Sequence, residues 1–367
     1  MSLIAACCAA LMLGGAVQAA GSDGIANKLL VVSVQGSGTQ IFSINSDGSG
    51  QKALTTGPGE NFQPAWSPDG RKIVFASTRD GAAASAIYVM DADGGNAKRL
   101  THEALPDTVP TWSPDGKRIV FRSHRDRRSA FYSMDPDGGN VVRLSDAVSD
   151  KGAPRFSPDG RYIAYEVYGD LGAVQLHVMK ADGSGDKDVT SQIPKDKKTQ
   201  PSWAPDSSRL AFVSVKSYGE NNIYTVRPDG SGLVNLTPVE YLSTQPSWSP
   251  DGKQIAFVSN RYGDMLSRSA GDIYLMNADG SGTVNLTRDP SSDVHPVWSG
   301  DGRTLYFLSM RDGPPHLYAL DLEGGAPRRL TQHAGQDLSF SVAPSAATTS
   351  KTTVAGAASA GTGTKGN

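Results

Sequence analysis

Six Xaa-Pro pairs recur along this chain, and the residues just ahead of the proline are the ones with chemical use. The residue before each proline is Gln63, Val109, Ala153, Gln200, Gln245 or His295. Near the C-terminus Asp337 is placed in the same row. Two positions earlier lie Asn61, Asp107, Lys151, Lys198, Ser243 and Asp293, with Gly335 in that row. Brought together at one end of a scaffold, these rows make a ring of amides and carboxylates with one imidazole. A ring of that kind suits polar recognition of a peptide end, a loop or a sugar. The expected ligand-binding residues are Gln63, Asp107, Gln200, Gln245, Asp293, His295 and Asp337.

Catalysis finds less support. One imidazole with neutral amides is a poor site for a transition metal. The other five histidines, His102, His124, His177, His316 and His333, are expected away from the ring. No Gly-x-Ser-x-Gly elbow occurs. Both cysteines, Cys7 and Cys8, lie in the N-terminal segment, which removes thiolate chemistry from the rest. The strings Asp91-Ala92-Asp93-Gly94 and Asp135-Pro136-Asp137-Gly138 resemble the start of a calcium loop. Sister strings begin with Asn45, Lys180, Arg227 or Asn277 while Asp-Gly persists, as a hairpin requires and a cation does not. Arg79, Arg125, Arg261 and Arg311 occupy matching positions and are expected to pair at the surface with Asp80, Asp126, Asp264 and Asp312. No metal, cofactor or catalytic residue is assigned.

The elements that must position the ring come from a repeat. An aromatic residue followed by a near-copy of Ser-Pro-Asp-Gly occurs at Trp66, Trp112, Phe156, Trp203, Trp248 and Trp298, spaced 46, 44, 47, 45 and 50 residues apart. Self-similarity at such a period marks stacked or radial supersecondary units. Each unit parses into four short strands. The first ends at the aromatic anchor. Ser-Pro-Asp-Gly then turns the chain: proline presets φ, aspartate caps its own backbone and glycine takes positive φ. The second strand is nearly all apolar, as at 73–77. The third follows a longer loop, and Asp-Gly makes a tight turn into a short fourth strand ending near Leu-Thr. The anchors are read as packing between units, because an aromatic side chain buries a large area.

Six complete units leave two remnants. Residues 30–55 hold three strands without a first strand, and a lone strand at 338–342 lacks partners. Phe340 is aligned with the aromatic anchors. The expected fold is an all-β, seven-bladed β-propeller of four-stranded blades, spanning 29–344 and closed by N- and C-terminal strands; six blades is the alternative. Such closure removes open sheet edges.

Residues 1–20 are uncharged, with an apolar core and a small-residue end, and read as a signal peptide. Residues 345–367 are Ala/Thr/Gly/Ser-rich and read as a disordered tail. A net charge of −2 offers no basic excess for nucleic acid.

The pattern Trp-Ser-Pro-Asp-Gly-Lys-x-Ile-Ala-Phe, with its downstream Ser-x-Arg, Ile-Tyr-x-Met, Asp-Gly-Gly and Leu-Thr, resembles the propeller repeat of the TolB-like family. The likeness covers about 29–344. The same repeat builds the propellers of prolyl-oligopeptidase-type peptidases and some pectin-fragment lyases. TolB carries an α/β domain ahead of its propeller, whereas this sequence runs from the leader almost directly into the repeat. The resemblance implies an exported, periplasmic or secreted, non-catalytic propeller that binds a protein or cell-envelope component. It is expected to be monomeric, with no membrane span after signal cleavage. The alternative is a carbohydrate-active lyase or hydrolase acting at the channel mouth.

Overall fold

The computed structural model describes residues 27–36, 38–81, 84–193, 197–216, 220–238, 242–260 and 271–344. The leader, the tail and the loop holding Arg261 and Asp264 lie outside the described residues. Among the described residues the chain is all β apart from one 3-10 turn, Asp170–Gly172. The strands form five four-stranded sheets and one nine-stranded sheet. The nine-stranded sheet is two sets joined by one parallel pair, Val174 with Lys197. Four-stranded antiparallel sheets in series are what a β-propeller requires.

Each set repeats the same local chemistry. In the set Asn61–Trp66, Lys72–Ser77, Ala86–Asp91 and Lys98–Arg99, the second and third strands are almost wholly buried. Between the first two, the Ser67 hydroxyl donates to Asp69 Oδ1 at 2.6 Å, and that oxygen accepts Arg71 N at 3.0 Å. Gly70 closes the turn at φ 68°. The Asp-Gly hairpin behaves as expected: Asp93 Oδ1 accepts Gly95 N at 2.9 Å. Gly94 has a second reason to be glycine. A Cβ there would stand 2.8 Å from the Leu54 carbonyl oxygen of the preceding sheet. The Leu-Thr ending extends the ladder beyond the two-residue fourth strand. Leu100 N donates to Ile87 O at 2.8 Å, and the Thr101 hydroxyl accepts Ile87 N at 2.9 Å.

The aromatic anchors pack as scaffold. Trp66 joins Leu30, Val32, Ile41 and Leu54 of the preceding sheet to Ile73 and Phe75 of its own. Trp112 and Trp248 do the same one and four units later.

The C-terminal strand Gln336–Val342 pairs with Lys28–Gln35, giving the first three strands their missing partner. Its register differs from the expected one by two residues. Val342 lies opposite Leu29, as Trp66 lies opposite Ile73. Asp337 lies opposite Ser33, as Asn61 lies opposite Ser77. Val342, and not Phe340, therefore stands at the anchor position, and Asp337 belongs to the row of Asn61, Asp107 and Asp293. Phe340 stands where Pro64 does, and the small-residue-Pro pair Ala343-Pro344 matches Ser67-Pro68.

Removing Gln336–Val342 strips the partner from Lys28–Gln35 and uncovers Phe340's contacts with Leu29 and Val31. The expected loss is at least about 4 kcal/mol, from lost burial and an unpaired edge. Thermal melting of a chain ending at Gly335 checks this; an unchanged melting temperature would contradict the pairing.

Candidate functional site

In five of the six units the residue before the proline sits on a β-bulge. Register shifts interrupt the first strands between Phe62 and Ala65, Thr108 and Thr111, Thr199 and Ser202, Thr244 and Ser247, and Val294 and Val297. At the bulges Gln63, Val109, Gln200, Gln245 and His295 take φ between 45° and 59°. This left-handed backbone is uncommon for non-glycine residues and most strained for the β-branched Val109. A bulge also removes an N–H from the ladder, and a buried N–H must find another acceptor.

The glutamine side chains supply it. Gln63 Oε1 accepts Val109 N at 2.8 Å, Gln200 Oε1 accepts Gln245 N at 2.8 Å, and Gln245 Oε1 accepts His295 N at 2.7 Å. Each bond latches one sheet to the next. Ala153 has no acceptor to offer. There Glu166 reaches from the second strand, and its Oε1 accepts Gln200 N at 2.8 Å. Gly152 leaves the room for it, since a Cβ there would stand 2.6 Å from Glu166 Oε2. In this unit the first strand is split into Asp150–Lys151 and Arg155–Phe156. Glutamines expected to meet a ligand thus hold backbone with their oxygens. His295 is neutral in the fold: burial pushes its pKa down to about 4, and its Nδ1 has no partner among the described residues.

The acidic row is equally committed. The Arg311 guanidinium donates to both oxygens of the buried Asp293, at 3.1 and 2.9 Å. Arg125 reaches Asp107 at 3.4 Å, and Arg79 donates to Asn61 Oδ1 at 2.8 Å. Each arginine also lies over two rings of its own sheet, as Arg79 does over Phe75 and Tyr88. Burial raises the Asp107 and Asp293 carboxyls above the ordinary range, against the pull of serine hydroxyls and arginine. The arginines therefore turn inward instead of pairing with the next residue in sequence. Their neighbours pair elsewhere: Asp80 accepts the Tyr88 hydroxyl at 2.5 Å and Arg99 at 2.9 Å. Asp126 with Tyr132 and Arg143, and Asp312 with Tyr318 and Arg329, repeat the arrangement.

Asp337 accepts from Ser33, Thr331 and the Leu317 N–H, and contacts His333. Burial alone would raise its pKa; the bonds from His333, Ser33 and Thr331 outweigh it and hold the carboxyl below the ordinary range. His316 and His333, expected apart from the site residues, both come to Asp337.

A cavity of about 160 Å³ lies where the first strands of all the sets meet. None of the seven expected residues lines it. Its wall is the row two residues further on: Ala65, Thr111, Arg155, Ser202, Ser247, Val297 and Ser341. Around them lie the edges of the tryptophans and the turn prolines. Arg155 is the only ionisable side chain among the described lining residues. Burial lowers its pKa to about 10, with Glu166 and Tyr168 opposing the shift, so it remains a cation at neutral pH. The signal was available: Arg155 is the one charged residue directly ahead of an aromatic anchor.

The architecture and this meeting of first strands define a β-propeller-type protein. The chain belongs to the TolB beta propeller domain family, whose model matches residues 26–193, 153–266 and 264–357. Among solved structures it is similar to TolB from Acinetobacter baumannii, with 22% identity, a TM-score of 0.53, and coverage of 74% of this chain and 66% of that one. It is also similar to an oligogalacturonate lyase in complex with manganese, with 18% identity, a TM-score of 0.67, and coverage of 84% and 89%. At these identities the likeness is one of fold. Among curated proteins, dipeptidyl-peptidase 5 of Porphyromonas endodontalis is 46% identical over 43 residues, 12% of this chain. The match spans only 6% of that peptidase's length. Among the described residues no helix is long and apolar enough to cross a membrane.

Two outcomes follow from the buried groups. Asp293→Asn places at 293 the residue type the chain already uses at Asn61, and its stability at pH 7 should lie within about 1 kcal/mol of the parent. Arg311→Ala strands the buried carboxylate and should cost about 3–5 kcal/mol. Denaturant unfolding of both variants decides; equal losses would contradict the clasp. His295 has a depressed pKa, so its contribution is present above pH 6.5 and lost as pH falls toward 4. Between pH 7 and pH 5 the parent should lose up to about 2 kcal/mol that His295→Gln does not; identical pH profiles would remove His295 from the balance.

Proposed function

We propose that this chain is an exported, non-catalytic β-propeller of seven four-stranded blades that binds an acidic group of a protein or cell-envelope polymer in its axial cavity. Support for seven blades comes from the single parallel pair that joins the two halves of the nine-stranded sheet and from the pairing of Gln336–Val342 with the first set. Export rests on the leader-like residues 1–20, and a periplasmic or secreted location follows from it. The observation that carries the binding reading is Arg155, the one ionisable residue of a described lining that also holds Thr111, Ser202, Ser247 and Ser341. A carboxylate entering there meets a fork of donors with less competing water than at the surface, which strengthens a charge-assisted bond. Of the lining hydroxyls, that of Ser341 is buried without a partner among the described residues and is free to donate to such a group.

The mouth row keeps a supporting role. The oxygens of Gln63, Gln200 and Gln245 are used by the next blade, while their amide N–H groups stay available to a ligand. Asp107, Asp293 and Asp337 hold the blades that carry this row. Enzymatic action on an acidic oligosaccharide is the second reading. It is favoured by the unpartnered Nδ1 of His295 and by the fold shared with an oligogalacturonate lyase.

Titration with acidic peptides and oligogalacturonides, followed by product analysis, separates the readings. Binding without turnover that weakens at least tenfold in Arg155→Gln supports the binding propeller. Turnover that disappears in His295→Ala supports the enzyme. Binding unchanged by Arg155→Gln would overturn the assignment of the cavity.

A further inference from the structure

At the seam between the last sheet and the C-terminal strand, three potential ligands converge. His316 opens the strand His316–Asp321, His333 lies in the loop after Arg328–Arg329, and Asp337 lies near the start of Gln336–Val342. One donor atom from each can be chosen so that all lie within 4.8 Å of one another. His333 Nε2 is 2.9 Å from Asp337 Oδ1, and His316 Nδ1 is 3.8 Å from Asp337 Oδ2. His316 is 2% exposed, and its Nδ1 has no hydrogen-bond partner among the described residues. A buried imidazole nitrogen facing a carboxylate at 3.8 Å is too distant for a hydrogen bond. It is well placed for two ligands of one ion, since bonds of about 2.0–2.2 Å in a tetrahedral site set ligands roughly 3.3 Å apart.

We propose that His316 Nδ1, His333 Nε2 and Asp337 bind a divalent transition cation of the zinc class, stapling the last sheet to the closing strand. The donor set selects the metal. Two imidazoles and a carboxylate suit Zn²⁺, whereas Ca²⁺ and Mg²⁺ want oxygen ligands. A shell of supporting bonds is in place, because Asp337 accepts from the Ser33 and Thr331 hydroxyls and from Leu317 N. Phe42 stacks on His333 with ring centroids 6.5 Å apart and limits where that imidazole can turn. His316 is ready as a ligand: burial first, and then the Arg329 charge, lower its pKa, so it is neutral at pH 7. The half-buried side of His333 leaves a route in and a fourth position for water. One ion would then fix the 316–337 stretch to itself and, through the bond from Ser33 to Asp337, to the first strand. The site lies apart from the cavity that holds Arg155, so it stands whether or not that cavity binds an acid.

The test uses the full chain, free of any histidine tag and stripped by a chelator, titrated calorimetrically with Zn²⁺ and separately with Mg²⁺. The expected result is one Zn²⁺ per chain, little response to Mg²⁺, and a rise in melting temperature with added zinc. His316→Ala and the milder His316→Gln should each weaken binding at least a hundredfold, while His102→Ala should leave it unchanged. Because a seam variant could fail to fold, Co²⁺ is also added to the parent chain, where a tetrahedral site gives intense visible absorption. Absence of stoichiometric zinc in the parent, a cobalt spectrum of the free aquo ion, or equal zinc uptake by a folded His316→Gln would each overturn the site.

Discussion

Orphaned backbone N–H groups at Val109, Gln200, Gln245 and His295 govern this structure. The bulge at each lifts a backbone donor out of its own ladder, and burial forbids leaving it bare. The nearest answer is a side-chain oxygen from the neighbouring sheet. Gln63, Gln200 and Gln245 give that answer directly, and Glu166 gives it from a different strand where Ala153 cannot. A local backbone defect is thereby converted into a bond between sheets. The same economy governs the acidic row, where arginines that look like a surface fringe turn inward to hold buried Asp107 and Asp293. Polar residues at both rows are spent on cohesion. The chemistry left over for a partner moves two residues along, to the wall that carries Arg155.

That displacement explains how much could be read beforehand. Strand order, turn chemistry and the packing role of the tryptophans were legible, because period, Ser-Pro-Asp-Gly and Asp-Gly are local signals with local causes. The pairing of the two chain ends was legible as a missing strand matched by a spare one. Its register was not: an aromatic at 340 outweighed the better match of Ala343-Pro344 to Ser67-Pro68. Side-chain direction was the larger gap. Alternation along a strand says which residues share a face only while the ladder is regular, and a bulge breaks the alternation at the positions of interest. Gln200 and Gln245 were identified as special without their direction being readable. Arg155 stands directly ahead of Phe156, in a row to which the sequence pattern assigns no role.

His316 and His333 were illegible for another reason. They lie 17 residues apart in one stretch, yet what joins them is Asp337, whose placement depends on the pairing of the two ends of the repeat. Sites assembled at a seam are visible only after the seam is closed. Membership in the TolB beta propeller domain family fixes the scaffold and leaves such additions to the individual chain.

The seam also constrains when the molecule can be finished. Its opening sheet borrows a strand from residues 336–342, so that sheet has all four strands only after those residues have joined it. Until that strand joins, Lys28–Gln35 is paired with Gly38–Asn45 alone, and Leu29, Leu30 and Val31 lie in a strand with one open edge. Completing that sheet is therefore a long-range event: the contacts of Phe340 with Leu29 and Val31 form only once strands from both ends of the repeat have met.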